Sequence, residues 1–197
     1  MTTSRLEAFS DGVFAIAATL LILNVAESGA PLSHALLRIW PSYAAYAVSF
    51  MTIGVIWINH HTVMDQIGKV NRTFLLITVA FLMLVAFIPF PTRLLAQNIT
   101  SEGARAAAVS YGITLTLTAI LFNVLWRYAA HRSRLLRPDA GARVVQGIAR
   151  SYFVGPVTYF AATLVALVSP QLSAAQFAAI ALFYVVESSL FGGADSP

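Results

Sequence analysis

The chain has 197 residues, of which 58% are hydrophobic and only 10% charged, against about 25% charged in an ordinary soluble domain. So few charges cannot cover the outside of a water-soluble fold of this size, so lipid must cover much of it. With no cysteine there is no disulfide framework, thiolate metal site or cysteine nucleophile. The basic residues lie scattered between apolar runs instead of alternating with aromatics on one polar face, which excludes a nucleic-acid partner.

A helix crossing about 30 Å of hydrocarbon needs about 20 apolar residues, and the stretches between charges are read on that scale. Helix one is expected over 5–26, opened by a capping box of Ser4 and Glu7. Helix two follows over 39–62, helix three over 73–95 and helix four over 105–128. Residues 151–186 form an uncharged run of 36, too long for one crossing at about 1.5 Å per residue. The run Ser169-Pro170-Gln171-Leu172-Ser173 supplies a helix stop and a polar turn, dividing it into helices five (150–168) and six (172–190). Pro89 and Pro91 are expected to end or kink helix three near the outer surface, where water satisfies the freed carbonyls. Ala174 with Ala178, and Ala175 with Ala179, allow close helix approach on helix six.

The expectation is therefore an all-α membrane protein with six transmembrane helices, forming one domain over 1–197. Lys and Arg accumulate on cytoplasmic loops. With the N-terminus inside, nine basic residues are cytoplasmic and three, Arg38, Arg93 and Arg105, are outside. Both termini are thus expected in the cytoplasm, in a multi-pass protein of the cell membrane, in keeping with a bacterial inner membrane. The six arginines of 127–150 could hold anionic lipid headgroups, but they are read as a topological anchor without a specific ligand. A cleaved signal peptide ending at Ser28-Gly29-Ala30 is not expected, because Glu7 and Asp11 do not suit its basic and apolar regions.

Helix one carries the residues least expected at membrane depth. At about 100° per residue, Phe9, Gly12, Ile16, Thr19 and Leu23 share a stripe, with Arg5 projecting nearby, while Asp11 points away from it. An ionisable group in a membrane segment usually has a partner in the bundle. Helix two ends in Trp57-Ile58-Asn59-His60-His61, bringing an indole and imidazoles to the depth of Ser10 and Asp11. Their complementary donors and acceptors favour a polar clamp between helices one and two, including Ser10, Asp11, Trp57 and His60, over a proton sensor, although His titrates near neutral pH. His61 and Asp65 are two ligands only, too few for a metal site, and no cofactor is called for. From the residues alone, the Ile16-Thr19-Leu23 stripe fits packing against another helix better than a water-filled path.

The string Arg5-x3-Phe9-Ser10-Asp11 with Thr19-Leu20-Leu21, the Trp57-x2-His60 pair, and Pro89-Phe90-Pro91-Thr92 together resemble the bacterial relatives of transmembrane protein 175, the lysosomal potassium channel family. The resemblance implies a potassium-permeable channel, a homotetramer of six-helix chains, with helix one lining the central pore. It also implies that Ile16, Thr19 and Leu23 occupy pore-lining positions. The chain has no Thr-Val-Gly-Tyr-Gly segment, so selection by stacked carbonyls of that type is not available, and side-chain rings on helix one are expected to select. Arg5, a cation at the mouth, would oppose cation entry.

Two other classes compete. A proton-coupled secondary transporter could use the Asp11 and His60 cluster, but the repeats and midplane helix breaks common in transporters are not evident. An intramembrane enzyme built on His60, His61 and Asp65 would lack any accompanying catalytic motif.

Overall fold

Helix α1 (Thr3–Leu20) tightens at its end into a 3-10 turn, Leu21–Asn24. The computed structural model describes residues 2–25, 39–140 and 142–191; the expected end of helix one at Ala26, the outer Arg38 and the small residues Ser28, Gly29 and Ala30 lie outside them. The expected capping box does not form. Thr2 is the N-cap and makes no side-chain cap bond, so Ser4 lies inside the first turn and not ahead of it, where a capping side chain must sit. Its hydroxyl lies 3.2 Å from that of Thr2 instead.

Helix α2 runs over Trp40–Asp65, with Pro41 in its first turn, where a missing N–H costs no helix bond. Asn71 caps helix α3 (Arg72–Phe87), its side chain accepting from the Phe74 N–H at 2.9 Å. Helix α4 (Pro89–Asn98) follows after Ile88 alone, so the third apolar segment bends and continues through the prolines. The bend differs from the expected one in its surroundings. Ile88, Pro89 and Pro91 are buried in the bundle. The Val85 carbonyl, which Pro89 cannot serve, accepts from the Ile88 N–H at 3.1 Å. A one-residue tightening thus replaces water as the partner.

Helix α5 (Ala104–Ala130) leads through a 3-10 turn, His131–Ser133, into α6 (Ala142–Ala166). Helix α6 therefore begins well before residue 150 and takes in part of the segment expected as linker. Leu167 to Ser169 turn the chain into α7 (Pro170–Phe191). The Ser169 hydroxyl accepts from the Leu172 N–H at 3.3 Å, and Pro170 occupies the first helical position, as the Ser-Pro signal suggested.

Among the described residues the chain is helical without strands, apart from one isolated antiparallel bridge between Ile67 and Leu136. Four helices are long and apolar enough to cross a membrane: Thr3–Leu23, Trp40–Asp65, Arg72–Asn98 and Ala104–Ser133. Two shorter apolar stretches, Tyr152–Ala166 and Pro170–Val186, complete six. Two pairs of connections are tied together, at opposite ends of the bundle. At one end the α2–α3 loop is bonded to the α5–α6 linker through Gly68 N–H to Leu135 O (2.9 Å) and Arg137 N–H to Gln66 O (2.9 Å). At the other the Gln171 amide donates to the Ile99 carbonyl at 3.1 Å, joining the α6–α7 turn to the end of α4.

Helix α5 is the axis of the core, packing against α3, α4, α6 and α7, while α1 packs on α2 and α3. Tyr111, Leu115, Leu125 and Trp126 of α5 are fully buried. Gly112 lets α6 and α7 close on it, since a Cβ there would collide with the Thr163 hydroxyl and approach Phe177 Cζ to 2.9 Å. Ala174 packs against this core from α7, whereas Ala175 and Ala179 face outward.

Candidate functional site

The α1 sequence divides into two faces because its apolar residues occupy both sides of the 3.6-residue repeat. Leu6, Ser10, Phe14, Ala17 and Leu21 are buried against α2, α3 and α4. Arg5, Phe9, Gly12, Ile16, Thr19 and Leu23 all lie exposed on the other side. Ile16 is 62% and Leu23 72% exposed, and among the described residues a Cβ built at Gly12 meets no other element within 4 Å. Thr19 donates its hydroxyl hydrogen back to the helix, to Ala15 O at 2.9 Å and Ile16 O at 3.0 Å. That leaves the hydroxyl oxygen with lone pairs to offer outward.

The four polar residues expected as one clamp are placed in three environments. Trp57 Nε1 donates to Asp11 Oδ1 at 2.8 Å, linking α2 to α1 at an exposed position. Asp11 is thus not a buried carboxylate; it lies on the flank of α1, about 100° from Ser10. Ser10 is fully buried but donates to its own helix, to Leu6 O at 2.9 Å. His60 is 2% exposed, and its ring stacks on Phe81 with centroids 5.8 Å apart and planes 6° apart. Phe14 covers it from α1 at 5.5 Å, and among the described residues Nε2 has no hydrogen-bond partner. Three residues separate Trp57 from His60, a rotation of about 60° short of a full turn, and this suffices to put one side chain on the surface and the other inside.

His61 returns to the surface. It stacks near Trp57 at 6.1 Å, and its Nε2 lies 3.9 Å from Asp65 Oδ2. Among the described residues no group of three or more His, Cys, Asp or Glu is placed to hold a metal ion.

Two further arrangements were not anticipated. An aromatic series runs from Phe14 of α1 through His60, Phe81 and Phe122 to Tyr152 of α6, each ring within 6 Å of the next. The Tyr152 hydroxyl then donates to the Asn59 carbonyl at 3.3 Å, beside His60. Ser49 of α2 bonds both Thr92 of α4 (2.9 Å) and Tyr111 of α5 (3.0 Å), all three buried. The sequence signal for this network is polar side chains inside apolar helices, which need partners across the helix interface.

Residues 5–89 match the model of the family described as the endosomal/lysosomal potassium channel TMEM175. A protein of Chamaesiphon minutus named a potassium channel is 39% identical over 193 residues, 95% of this chain and 95% of that one. The crystal structure of a lysosomal potassium-selective channel TMEM175 homolog from Chamaesiphon minutus superimposes with a TM-score of 0.86 at 37% identity, covering 94% of this chain and 97% of that one. A Gallus gallus relative named an endosomal/lysosomal proton channel TMEM175 is 32% identical over 154 residues, 71% of this chain and 31% of that one. With likeness to the first of these relatives extending over nearly the whole of both chains and the helices superimposing, this chain belongs to the TMEM175 family of potassium channels, which are not enzymes.

Proposed function

We propose that the chain forms a potassium-permeable channel, a homotetramer in which α1 from each subunit lines a central pore. The observation that carries this reading is the two-faced α1. One side is sealed into the subunit, while Phe9, Gly12, Ile16, Thr19 and Leu23 lie exposed on the other. Fourfold symmetry would convert this stripe into successive rings on one axis.

In that arrangement Ile16 and Leu23 form apolar rings on either side of a hydroxyl ring from Thr19. A narrow apolar ring bars a fully hydrated ion and can close by dewetting. Thr19 supplies oxygen where water is lost, and its hydrogen is already engaged with Ala15 and Ile16, so the oxygen faces the ion as a ligand. Potassium sheds water more readily than sodium and is favoured, though less strongly than in a filter of many carbonyls. Asp11 and Trp57 hold α1 against α2, and His60 anchors its buried face to α3, so these residues position the pore helix. Both termini and the 131–141 linker lie in the cytoplasm of a multi-pass cell-membrane protein, following the nine-to-three distribution of basic residues.

Reversal potentials of the purified protein in planar bilayers, under opposing potassium and sodium gradients, test the reading. Single-channel steps that reverse near the potassium equilibrium potential are expected. Saturable, proton-dependent uptake without unitary steps would replace the channel with a coupled transporter, and current that follows the proton gradient alone would assign the pore to protons.

A further inference from the structure

Away from the α1 stripe, a cluster of cations sits at the end of the bundle where the α2–α3 loop meets the α5–α6 linker. Lys69 is drawn to the linker by its N–H, which donates to Leu135 O at 3.2 Å. Asn71 Nδ2 donates to the Tyr128 hydroxyl at 2.8 Å, bringing the first turn of α3, and with it Arg72, beside the last turns of α5. The Arg134 guanidinium lies over the Tyr128 ring, 5.6 Å from its centre, and the Thr73 side chain is beside the same hydroxyl.

The backbone holding these groups is constrained. Arg132 and Ser133 adopt left-handed conformations, with φ of 55° and 50°, and the Ile67–Leu136 bridge pins the linker to the loop. Three carboxylates toward this end have other partners, Asp65 with His61 at 3.9 Å, Asp139 with Arg137 at 3.8 Å and Asp11 with Trp57 at 2.8 Å. Among the described residues, Lys69, Arg72 and Arg134 have no carboxylate within ion-pair distance, and all three are exposed.

Directly along the helices from these cations the surface turns apolar. Leu76, Val79 and Met83 continue the face of α3 that Arg72 begins, at the i+4, i+7 and i+11 spacing of one helical stripe. Val124 and Ile120 do the same for α5 below Tyr128. All five are exposed, and α3 and α5 are packed side by side.

We propose that this face binds an anionic phospholipid. Arg72, Arg134 and Lys69 hold the phosphate, the Tyr128, Asn71 and Thr73 side chains offer hydrogen bonds to its oxygens and glycerol backbone, and the acyl chains lie along the α3–α5 stripe. Charge complementarity selects the headgroup, and the change from cationic to apolar along one face selects a molecule with the same change of character. A free anion satisfies the first feature and not the second. The site is separate from the pore stripe and does not depend on which ion permeates.

Native mass spectrometry of the purified protein, equilibrated with equal amounts of phosphatidylglycerol and phosphatidylcholine, tests the site. Wild type is expected to retain phosphatidylglycerol preferentially. The R72Q/R134Q variant should lose that preference by roughly fivefold per arginine, with R72K/R134K restoring most of it and R93Q, at the other end of the bundle, leaving it intact. Equal retention of both lipids by wild type, or an unchanged preference in R72Q/R134Q, would overturn the proposal. So would displacement of the bound lipid by millimolar inorganic phosphate at constant ionic strength, which would make the site one for free anions. A changed oligomeric state in R72Q/R134Q with lipid preference retained would assign the face to a second copy of the chain.

Discussion

Trp57 reaches from α2 to Asp11 on α1 through a single 2.8 Å hydrogen bond, outside the core that buries His60 only one helical turn further along. The bond joins the helix whose other face is unpartnered to the helix that supports it, so its loss should loosen α1 before the rest of the bundle.

Trp57→Phe keeps an aromatic ring and removes the donor. At an exposed position the loss should be about 1 kcal/mol, lowering the melting temperature by roughly 2–4 °C. Asp11→Ala, which removes the acceptor, should add little in the same background, because the bond is already absent. A double-mutant cycle on thermal melts in detergent measures this, and fully additive losses would mean that the two side chains act separately.

His60 offers a contrast between cavity and polarity. Its imidazole fills space between Phe14 and Phe81 while Nε2 is unpartnered among the described residues. His60→Ala should therefore cost about 3 kcal/mol through the cavity and reduce the yield of assembled protein. His60→Phe, which keeps a ring and removes the unsatisfied nitrogen, should be close to neutral. Equal damage from both would show that the imidazole nitrogens hold the bundle.

On the pore reading, Thr19→Val preserves shape and removes the hydroxyl ring, so the preference for potassium over sodium should fall while assembly persists. Ile16→Asn or Leu23→Asn should raise conductance by wetting an apolar ring. Leu21→Val is the control, because Leu21 is fully buried on the opposite face of α1. Reversal potentials that respond to Leu21→Val and ignore Thr19→Val would place the pore elsewhere.

Gly112→Ala should lower folded yield sharply. The added methyl group meets the Thr163 hydroxyl and Phe177 from two helices at once, and such overpacking costs about 1–3 kcal/mol. Combining it with Thr163→Ala should recover part of the loss, measured by size-exclusion profile and melting temperature. No recovery would mean that Phe177 sets the limit.

Topology is open to direct labelling. A cysteine replacing Gln171, exposed at the α6–α7 turn, should react with an impermeant thiol reagent from outside intact cells, and one replacing Lys69 should not. The reverse pattern would invert the orientation inferred from the basic residues.

Several features could be read before folding because their causes are local. Apolar length sets the helices. The Ser169-Pro170 pair divides the last two through backbone chemistry that operates within four residues. The α1 stripe follows from helical geometry alone, and the family resemblance rests on motifs in the first half of the chain. The relation of Ser10, Asp11, Trp57 and His60 was not legible to the same degree. Depth along two helices can be estimated from sequence, but which side chain turns inward depends on the rotation of each helix about its axis. Packing sets that rotation, as α1, α2 and α3 close around Phe14, His60 and Phe81. The same reason hid the buried bend at Ile88 and the Ser49-Thr92-Tyr111 network, since residues far apart in the chain become partners only when the bundle brings their faces together. Sequence by itself determined the all-helical membrane chain and the two-faced first helix. Tertiary structure decided which polar groups share a bond and which stand alone, because hydrogen bonds are settled over about 3 Å while a sequence pattern resolves only the side of a helix.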